Sequence, residues 1–486
     1  MAYLALDLGA GSGRAIVGTI ENGKLHLKEI HRFANRPVKL NNTLYWNFLS
    51  LFDNIKQGIA LAVKQGYDLK GIAVDTWGVD FGLIDKKGNM LANPVCYRDD
   101  RTIGMSEKSS AYVSKEQFYA FTGIQQMEIN SVFQLLSLKN TQDSNLTVAS
   151  NLLFIPDLIN YFLTGIKTNE YTIASTSQLL NAKTREWEVS LFNDLGLPVH
   201  LMGGIIPPCS TIGNLREDII RETGANVKVF AVGSHDTASA IAAIPAKGDD
   251  WAFLSSGTWS LLGVVSNEPI LTQEAMKNDF TNEGGVDNKI LFMRNITGLW
   301  LLQRLIAEWE KEEEECSYGY LLSECEKVSS FQSIVNSDDA SFSNPVSMAK
   351  AIQDYCKKTN QAIPHSKGEL VRCVLESLAT KYRFVLDKLQ ECSGKDIKRL
   401  FVVGGGSQNG LLNQYISNSL NMPVVTGLVE ATAIGNIMQQ ALTDGCVGSW
   451  EETYEVIENT FDLKTYQPEN TEEWNRMAMQ VKDLFG

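Results

Sequence analysis

The chain has 486 residues, of which 44% are hydrophobic and 21% are charged, proportions of a globular protein rather than of a disordered, collagen-like or coiled-coil chain. The formal net charge of −14 at pH 7 argues against a nucleic-acid-binding surface, which needs clustered Lys and Arg. The length fits two large domains or about three of average size.

The beginning of the chain has the pattern of a buried strand and not of a leader. Asp7 interrupts the first apolar residues, and no basic segment precedes them, so we expect no signal peptide. No uncharged apolar run approaches the ~18 residues that a membrane-spanning helix needs. The eight cysteines include no C-x-x-C pair, which argues against a zinc or dithiol site. These features predict a cytoplasmic protein that has no membrane or nucleic-acid partner.

The first half begins with a meander of three predicted strands. Asn22-Gly23 separates the second strand from the third, and this pair is typical of a tight hairpin turn because both residues tolerate positive φ. Ser50 and Asp53 form a pattern close to a capping box, so a helix is predicted to begin at Ser50. A further buried strand ends at Asp75 and completes an α/β pattern. The predicted strands are 3–8, 14–20, 25–33 and 71–74.

The second half repeats this organisation. A strand, a polar turn and another strand come first, and Ser366-x-x-Glu369 then forms a capping box before a long amphipathic helix. The predicted strands are 251–254, 259–265 and 400–403. The repetition predicts two similar α/β domains, 1–244 and 245–486. The sequence leaves open on which domain the tail after Tyr466 packs.

Residues 7–14 (DLGAGSGR) are the first segment that suits a ligand. Three glycines let backbone N–H groups surround a phosphate in a strand-to-strand turn, and Asp7 at the strand end suits a hydrated Mg²⁺. An ordinary Gly-rich hairpin with a capping Asp is the alternative and explains the segment equally well. The glycine spacing is not that of a Rossmann fingerprint, and no P-loop motif occurs in the chain.

Three later segments suit the other parts of a nucleotide. Residues 255–260 (SSGTWS) form a second hydroxyl- and Gly-rich turn, and the two turns together suggest a pair of phosphate-binding hairpins. Residues 404–409 (GGGSQN) end a strand and open a helix, and residues 430–436 (EATAIGN) allow close helix packing, so both fit an adenosine pocket. The alternatives are an ordinary polar hairpin for the first and closely packed helix N-termini for the others.

Residues 233–238 (GSHDTA) supply the candidate catalytic group. Asp236 follows a predicted strand and stands at the start of a small, apolar helix, where a carboxylate suits the general base of a phosphoryl transfer. The alternatives are that Asp236 only caps the helix and that His235 is a buried histidine with satisfied hydrogen bonds.

Aromatic and acidic residues in two segments, 75–81 (DTWGVDF) and 97–102 (YRDDRT), suit a polyhydroxylated ligand. An aromatic ring covers a sugar face, and carboxylates accept hydrogen bonds from sugar hydroxyls. A core tryptophan beside a salt-bridged loop explains the same residues equally well.

These segments, in this order, resemble the FGGY family of carbohydrate kinases over nearly the whole chain. The resemblance implies an α/β, two-domain actin-like ATPase (ribonuclease H-like) fold with the active site in the inter-domain cleft. It implies phosphoryl transfer from ATP, with Mg²⁺, to a small sugar. Tyr97 replaces a more frequent Trp, and Asp75-Thr76-Trp77-Gly78 replaces a Gly-Gln-x-His motif. Both departures point away from the xylulose and glycerol kinases and toward members that phosphorylate L-rhamnulose at the C1 hydroxyl in L-rhamnose catabolism.

The resemblance also implies roles for single residues. Asp236 is the general base for the C1 hydroxyl, His235 and Thr237 hold neighbouring hydroxyls, and Asp7 holds Mg²⁺ through water. The residues implied to contact ATP are Ala10, Gly11, Ser12, Gly13, Arg14, Thr258, Gln303 and Gly405. The residues implied to contact the sugar are Gly78, His235, Asp236, Thr237 and Asn295.

Two alternatives stay open at this point. A family member that acts on another ketose, such as L-fuculose, would differ in pocket groups that the sequence does not place. An actin-like ATPase driven by a protein partner belongs to another class, and it predicts an appended partner-binding domain for which 486 residues leave no room. We expect a small-molecule sugar as substrate and a monomer or weak homo-oligomer.

Overall fold

The structure, a computed structural model, describes residues 1–485. By its internal contacts the chain divides into two compact units. Unit 1 consists of Met1–Ala246, Val265–Phe292 and Glu430–Phe461, and unit 2 of Lys247–Val264, Met293–Val429 and the tail from Asp462 onward. The tail, which the sequence left unassigned, therefore belongs to unit 2.

Every strand predicted above is present, and each is slightly longer than predicted because ladder hydrogen bonds continue past the apolar residues. The strands, in chain order, are β1 (Ala2–Leu8), β2 (Ser12–Glu21), β3 (Lys24–Ala34), β4 (Pro37–Leu40), β5 (Thr43–Trp46), β6 (Leu69–Thr76), β7 (Phe81–Ile84), β8 (Asn151–Phe154), β9 (Asn169–Glu170), β10 (Ile205–Ile206), β11 (Ser210–Asn214), β12 (Lys228–Ala231), β13 (Trp251–Ser256), β14 (Trp259–Ser266), β15 (Thr281–Gly284), β16 (Ile290–Thr297), β17 (Arg399–Val403), β18 (Val424–Thr426) and β19 (Lys464–Tyr466).

Helices follow or separate most of these strands. In chain order they are α1 (Phe48–Lys64), α2 (Met105–Ser109), α3 (Lys115–Thr122), α4 (Ser131–Asn140), α5 (Ser144–Val148), α6 (Ile155–Thr164), α7 (Tyr171–Ser175), α8 (Val189–Leu195), α9 (Glu217–Thr223), α10 (Asp236–Ala242), α11 (Gln273–Lys277), α12 (Trp300–Lys311), α13 (Tyr318–Glu326), α14 (Met348–Lys358), α15 (Lys367–Ser393), α16 (Gly410–Leu420), α17 (Ala431–Thr443), α18 (Trp450–Thr460), α19 (Thr471–Gln480) and α20 (Lys482–Phe485). Short 3₁₀ turns are Asp100–Thr102, Val199–Leu201, Ala340–Phe342 and Gly405–Gln408. Within residues 1–485, no helix is both long and apolar enough to cross a lipid bilayer.

Unit 1 is built on a six-stranded sheet in the order β11-β12-β6-β1-β2-β3. The strands β1, β2 and β3 form the predicted antiparallel meander. Asn22 and Gly23 have φ values of 52° and 71°, as the predicted hairpin turn requires. The strands β12, β6 and β1 run parallel to one another. Their carboxyl ends therefore lie at one edge of the sheet, which is where ligands bind in α/β folds.

Helix α1 does not begin at Ser50, as the capping-box pattern predicted. It begins at Phe48, and the side chain of Asn47 caps it by accepting a hydrogen bond from the Ser50 N–H at 3.3 Å. Asn is as good a helix cap as Ser, so the earlier residue takes the role and Ser50 falls in the first turn. One apolar face of the helix is buried, with Ile55 and Ile59 fully covered.

Helices α10 and α17 of unit 1 pack at unusually close range. A Cβ at Gly435 of α17 would lie 1.8 Å from the carbonyl oxygen of Ser239 in α10, so only glycine fits there. The Gln439 side chain donates to Ser239 Oγ at 3.2 Å and accepts from the Gly233 N–H at 2.7 Å. The tight helix packing predicted for residues 430–436 is therefore present, and it fixes the turn that precedes α10.

Unit 2 contains a sheet in which β14, β13, β17, β18 and β19 are successive neighbours. The strands β13 and β14 form an antiparallel hairpin, and β17 runs parallel to β13. Helix α15 begins at the predicted capping box, in which Ser366 and Glu369 each accept a hydrogen bond from the other's N–H, at 3.2 and 2.8 Å. Both units are thus mixed α/β structures around a sheet, which confirms the predicted fold class.

Candidate active site

Three aspartates meet at the carboxyl edge of the parallel strands in unit 1. Asp7 of β1 lies directly opposite Asp75 of β6. The Thr76 N–H donates to the Ser234 carbonyl at 2.8 Å, which prolongs the pairing of β6 with β12 and brings Asp236, the first residue of α10, to the same edge. Among residues 1–485, no group of three or more His, Cys, Asp or Glu has the arrangement of a metal site. The edge therefore carries three acidic side chains: Asp7, Asp75 and Asp236.

Arg14 joins Asp7 to Glu430 in an ion-pair network. Its guanidinium donates through Nη2 to Asp7 Oδ2 and through Nη1 to Glu430 Oε2. Burial raises the pKa of Asp7 more than Arg14 lowers it. Burial acts to lower the pKa of Arg14, but the charges of Asp7 and Glu430 raise it overall. Glu430, which begins the segment predicted to fit an adenosine pocket, balances the charge of Arg14.

The turn between β1 and β2 is open to a ligand at one glycine. The Gly9 N–H closes the turn by donating to the Ser12 carbonyl at 2.9 Å. A Cβ at Gly11 would meet no heavy atom within 4 Å, whereas a Cβ at Gly13 would lie 2.3 Å from the ring of Phe33. Gly11 therefore leaves space for a bound group, and Gly13 is needed for packing.

Asp75 is a fully buried carboxyl group held by one amide. The Asn436 Nδ2 donates to its Oδ2 at 2.6 Å, and its Oδ1 is buried without a hydrogen-bond partner. Burial, and then the charge of Asp7, raises the pKa of Asp75 well above its usual range. Burial and the neighbouring Asp7 thus oppose ionisation of Asp75 more strongly than the single Asn436 hydrogen bond favours it.

His235 lies between two carboxylates. Its Nδ1 is 3.1 Å from Glu283 Oε2, and its Nε2 is 3.5 Å from Asp236 Oδ1. Both are ion-pair distances, but the angles at Nδ1 and at Glu283 Oε2 do not meet hydrogen-bond geometry. Burial acts to lower the pKa of His235, but Glu283 and then Asp236 raise it to about 9. The imidazole is therefore a cation at neutral pH that can donate from both nitrogens.

Asp236 keeps an open side. Its side chain is 36% exposed, and Thr237 Oγ1 donates to its Oδ1 at 3.2 Å. Desolvation raises the pKa of Asp236, and the charge of His235 opposes that effect. A carboxylate of raised pKa that can be reached by a ligand is what a general base needs.

Asp80 and Trp77 belong to the core, as the alternative interpretation of residues 75–81 proposed. Asp80 accepts hydrogen bonds from Trp46 Nε1 at 2.6 Å, Trp77 Nε1 at 2.9 Å and Gln134 Nε2 at 3.0 Å. These three donors occupy both oxygens of the buried carboxylate. Asp80 therefore holds the Trp46 and Trp77 rings in place and leaves no acceptor oxygen for a sugar hydroxyl. Gly78, between the two residues, is the partly exposed position of this segment.

In unit 2, the turn between β13 and β14 presents Thr258. Its Oγ1 donates to Gln303 Oε1 at 2.9 Å, so the two predicted ATP contacts lie side by side. The Gly298 N–H donates to the Thr258 carbonyl at 3.1 Å and fixes the turn against the start of α12. Asn295 lies on β16 and is partly exposed.

The three glycines after β17 differ in how strictly the structure requires glycine. Gly404 has a φ of 81°. A Cβ at Gly406 would lie 2.0 Å from Ser256 Oγ, whereas a Cβ at Gly405 would meet nothing within 4 Å. Gly405 is therefore the exposed position at which a flat ligand can approach the backbone.

The structure thus groups the predicted residues within each unit. In unit 1, the sheet edge and its turns carry Asp7, Ala10, Gly11, Ser12, Gly13, Arg14, Gly78, His235, Asp236 and Thr237. In unit 2, Thr258 and Gln303 form a pair, and Asn295 and Gly405 lie on or after strands of the sheet.

Sequence reasoning missed the partners Glu283 and Asn436. Glu283 lies 48 residues after His235, and Asn436 lies 361 residues after Asp75. No local pattern links residues at such separations.

The chain matches family models over most of its length. The model described as the FGGY family of carbohydrate kinases, N-terminal domain, covers residues 2–243, and the C-terminal domain model covers residues 252–443.

Several similar proteins are named rhamnulokinase. The one from Bacteroides thetaiotaomicron is 43% identical over 482 residues, which is 99% of both chains. The one from Oceanobacillus iheyensis is 42% identical over 95% of this chain and 97% of its own, and the one from Bacillus subtilis is 36% identical over 97% and 96%.

Solved structures of sugar and glycerol kinases share the fold. A xylulose kinase from Rhodospirillum rubrum has a TM-score of 0.82 at 16% identity, over 100% of this chain and 98% of its own. A glycerol kinase from Plasmodium falciparum with ADP has a TM-score of 0.81 at 15% identity, over 99% and 97%. At these identities the likeness concerns the fold alone.

Proposed function

The chain belongs to the FGGY family of carbohydrate kinases, and from this premise we propose that it transfers the γ-phosphoryl group of ATP to the C1 hydroxyl of L-rhamnulose. The observation that carries the proposal is the 43% identity over 99% of both chains to a protein named rhamnulokinase. The exposed, raised-pKa carboxylate of Asp236 supports it independently, because phosphoryl transfer to an alcohol needs a group that takes the hydroxyl proton.

The proposed chemical step uses Asp236 as general base. Its carboxylate accepts the proton of the C1 hydroxyl as that oxygen bonds to the γ-phosphorus. The bond from the γ-phosphorus to the β,γ-bridging oxygen breaks, and ADP leaves. His235, cationic between Glu283 and Asp236, donates to a neighbouring sugar hydroxyl and lowers the pKa of Asp236.

The remaining proposed contacts divide between the two substrates. Gly78, Thr237 and Asn295 contact the sugar with His235. The proposed ATP contacts are Ala10, Gly11, Ser12, Gly13, Arg14, Thr258, Gln303 and Gly405. The open space at Gly11 and at Gly405 supports this assignment, since backbone N–H groups can approach phosphates only where no Cβ intervenes.

The donor set around Asp7 fits a hydrated Mg²⁺. One carboxylate with waters and phosphate oxygens is a usual Mg²⁺ environment, and the buried, unpartnered Asp75 Oδ1 stands on the strand directly opposite Asp7. Asp7 would hold the ion through water. When bound, Mg²⁺ supplies positive charge that neutralises the phosphates. Arg14 keeps Asp7 oriented through its ion pair.

We also propose that the two functional lobes are 1–244 and 245–486, the first for the sugar and the first phosphate turn, the second for the second turn and adenosine. The family-model boundaries at 243 and 252 support this division. The compact units differ from it because Val265–Phe292 and Glu430–Phe461 belong to unit 1. We propose a monomer or weak homo-oligomer in the cytoplasm that needs no nucleic-acid or membrane partner.

The test is ADP release with MgATP and a panel of L-rhamnulose, L-fuculose, D-xylulose, L-ribulose and glycerol, with a sugar-free control. The expected result is the highest kcat/KM with L-rhamnulose. A higher kcat/KM with L-fuculose would assign the enzyme to that ketose. ADP release independent of any sugar would overturn the kinase assignment in favour of a partner-driven ATPase.

A further inference from the structure

One short segment of unit 1 accepts hydrogen bonds from the backbone of the loops that carry Gly78 and His235, and from the end of strand β15, which carries Glu283. Residues 170–176 (EYTIAST), here called the α7 segment, comprise helix α7 and its two caps. No pattern in the sequence drew attention to them. We infer that the α7 segment positions the sugar-binding loops, and that Glu170, Thr172, Ser175 and Thr176 are positioning residues for the reaction. The inference rests on the proposed function, because it concerns the same site.

The N-terminal end of the α7 segment holds the turn that carries the general base. Glu170 accepts from the N–H groups of Thr172 at 2.9 Å and Ile173 at 3.1 Å, which caps the helix. It also accepts from the Ser234 N–H at 3.2 Å. Thr172 Oγ1 donates to Glu170 at 2.6 Å and accepts from the His235 N–H at 3.1 Å. Two consecutive backbone donors of the catalytic turn therefore end on this segment.

The C-terminal end holds the end of strand β15 and the loop that carries Gly78. Ser175 Oγ accepts from the Gly284 N–H at 2.7 Å, and Gly284 follows Glu283, the partner of His235. Thr176 Oγ1 accepts from the Val79 N–H at 3.1 Å, and Val79 follows Gly78.

The two hydroxyls at this end are aimed by the helix itself. Ser175 Oγ donates to the Thr172 carbonyl at 2.6 Å, and Thr176 Oγ1 donates to the Ile173 carbonyl at 2.8 Å. Each hydroxyl has one proton, and once the helix carbonyl takes it, a lone pair is left for the loop N–H. The hydrogen bonds therefore have a fixed direction and transmit the position of the helix to the loops.

Burial makes these hydrogen bonds strong and specific. The exposed fractions of Glu170, Thr172, Ser175 and Thr176 are 0%, 0%, 6% and 5%, so water cannot replace a lost partner. The helix is anchored at the same time, because Ile173 and Ala174 belong to a hydrophobic cluster of unit 1. An anchored helix with three outward hydrogen-bonded contacts fixes Gly78, His235 and Glu283 relative to one another.

If the α7 segment positions these groups, its hydroxyls should affect the binding and turnover of the sugar and not the binding of the nucleotide. A displacement of about 1 Å in a positioned group can reduce turnover by roughly 100-fold. Loss of one hydroxyl of the α7 segment should therefore raise the KM for the sugar or lower kcat, and leave the KM for ATP unchanged.

The experiment compares Ser175→Ala and Thr176→Val with two matched controls. Ser177→Ala removes a hydroxyl that makes the same kind of relay, donating to the Ala174 carbonyl and accepting from the Leu179 N–H. Thr122→Val removes an equivalent hydroxyl in α3, where Thr122 Oγ1 donates to the Phe118 carbonyl and accepts from the Ile124 N–H. Neither control contacts a proposed sugar loop through that hydroxyl. Thr176→Ser, which keeps the hydroxyl, is the rescue variant.

The readouts are the KM values for sugar and ATP, kcat, the dissociation constant for ADP and the melting temperature. We expect kcat/KM for the sugar to fall about 10- to 100-fold in Ser175→Ala and Thr176→Val, with ADP binding within twofold of the parent. Thr176→Ser and both controls should stay near the parent. Sugar kinetics within twofold of the parent in both test variants, or equal losses in the controls, would overturn the inference.

Two further arms keep the result decisive. If Ser175→Ala does not fold, the kinetics of Thr176→Val alone test the inference. A loss of ADP binding equal to the loss in sugar kcat/KM would show a general structural role and would overturn the inference. The parent enzyme is first assayed on the ketose panel. If it prefers another ketose, the proposed substrate fails, and the comparison is made with that ketose.

Discussion

Asp7 and Asp75 lie directly opposite each other on the parallel strands β1 and β6, and only Asp7 is paired with a cation. Two carboxyl groups this close oppose each other's ionisation. Arg14 opposes the rise that burial causes in the pKa of Asp7. At Asp75, burial and the charge of Asp7 outweigh the opposing hydrogen bond from Asn436 and raise the pKa well above its usual range. Of the two carboxyl groups, Asp7 is therefore the one whose charge a cation stabilises, and it precedes the open turn at Gly11.

This difference predicts unequal effects of two isosteric substitutions. Asp75→Asn replaces a carboxyl group whose ionisation is opposed by burial and by Asp7, so we expect kcat and the KM for MgATP to change less than about threefold. Asp7→Asn removes the charge that would hold hydrated Mg²⁺, so we expect the KM for MgATP to rise at least tenfold. Steady-state kinetics over a Mg²⁺ titration provide the measurement. Equal losses in both variants would contradict the division of charge.

Asp236→Asn should separate chemistry from binding. The amide keeps the shape and the contact with Thr237 but cannot take a proton. We expect kcat to fall by about 10² to 10⁴, while the dissociation constants for ADP and the ketose stay within about threefold of the parent. Single-turnover phosphoryl transfer and calorimetry measure the two effects. Near-normal turnover in this variant would remove Asp236 as general base.

The His235–Glu283 pair predicts a dependence of stability on pH. The pKa of His235 rises from 6.5 to about 9 in the folded protein, so the folded state binds this proton more tightly than the unfolded state. The stabilisation is therefore complete below about pH 6.5 and is lost as the pH rises through about 9. Glu283→Gln removes the charge that raises this pKa, and its melting temperature should fall less between pH 6.5 and 9 than that of the parent.

Melting curves at half-unit pH intervals measure this difference. Glu188→Gln is a suitable control, because Glu188 lies in unit 1 and contacts Asn181 and Ser190 but not His235. The idea fails if the parent and Glu283→Gln lose stability in parallel over this interval.

Gly405 and Gly406 should respond differently to alanine. The Cβ of Gly405→Ala would meet no heavy atom within 4 Å, so the fold should be unchanged. A ligand that approaches this backbone should bind less well because the Cβ stands in its way. We expect an unchanged melting temperature and a KM for ATP raised several-fold. The Cβ of Gly406→Ala would lie 2.0 Å from Ser256 Oγ, so we expect the free energy of unfolding to fall by about 1–3 kcal/mol. Unfolding in denaturant and ATP kinetics distinguish the two, and an unchanged KM in Gly405→Ala would remove it from the ATP site.

Gly435→Ala should be among the most damaging small substitutions in unit 1. Its Cβ would meet the Ser239 backbone, which cannot move aside as a side chain can. We expect at least about 1–3 kcal/mol of destabilisation and, because Ser239 lies in the helix that Asp236 begins, a reduced kcat. Gly319→Ala in α13 is the matched helical control, since its Cβ meets nothing within 4 Å. Equal melting temperatures for the two variants would contradict the close packing.

The sequence alone determined those features that depend on neighbours along the chain. The strands of the first meander, the Asn22-Gly23 turn and the capping box of Ser366 and Glu369 were all predicted, because apolar periodicity, φ preferences and capping act over a few residues. The same reasoning failed at Ser50, where Asn47 was an equally good cap three residues earlier. The position of Asp236 after a strand and at a helix start was also a local feature.

Only the tertiary structure decided which side chains meet. Arg14 pairs with Glu430 across 416 positions, and Asp75 with Asn436 across 361. These contacts depend on how α17 packs against the first sheet, and no local pattern encodes that packing. The α7 segment shows the same limit, since its hydroxyls are ordinary in sequence and gain their proposed role only where two loops and a strand end approach one helix. The family resemblance of the motifs thus predicted a sugar kinase, and local chemistry made Asp236 the candidate base. Packing over long sequence separations selected the partners that influence the charge and position of these side chains.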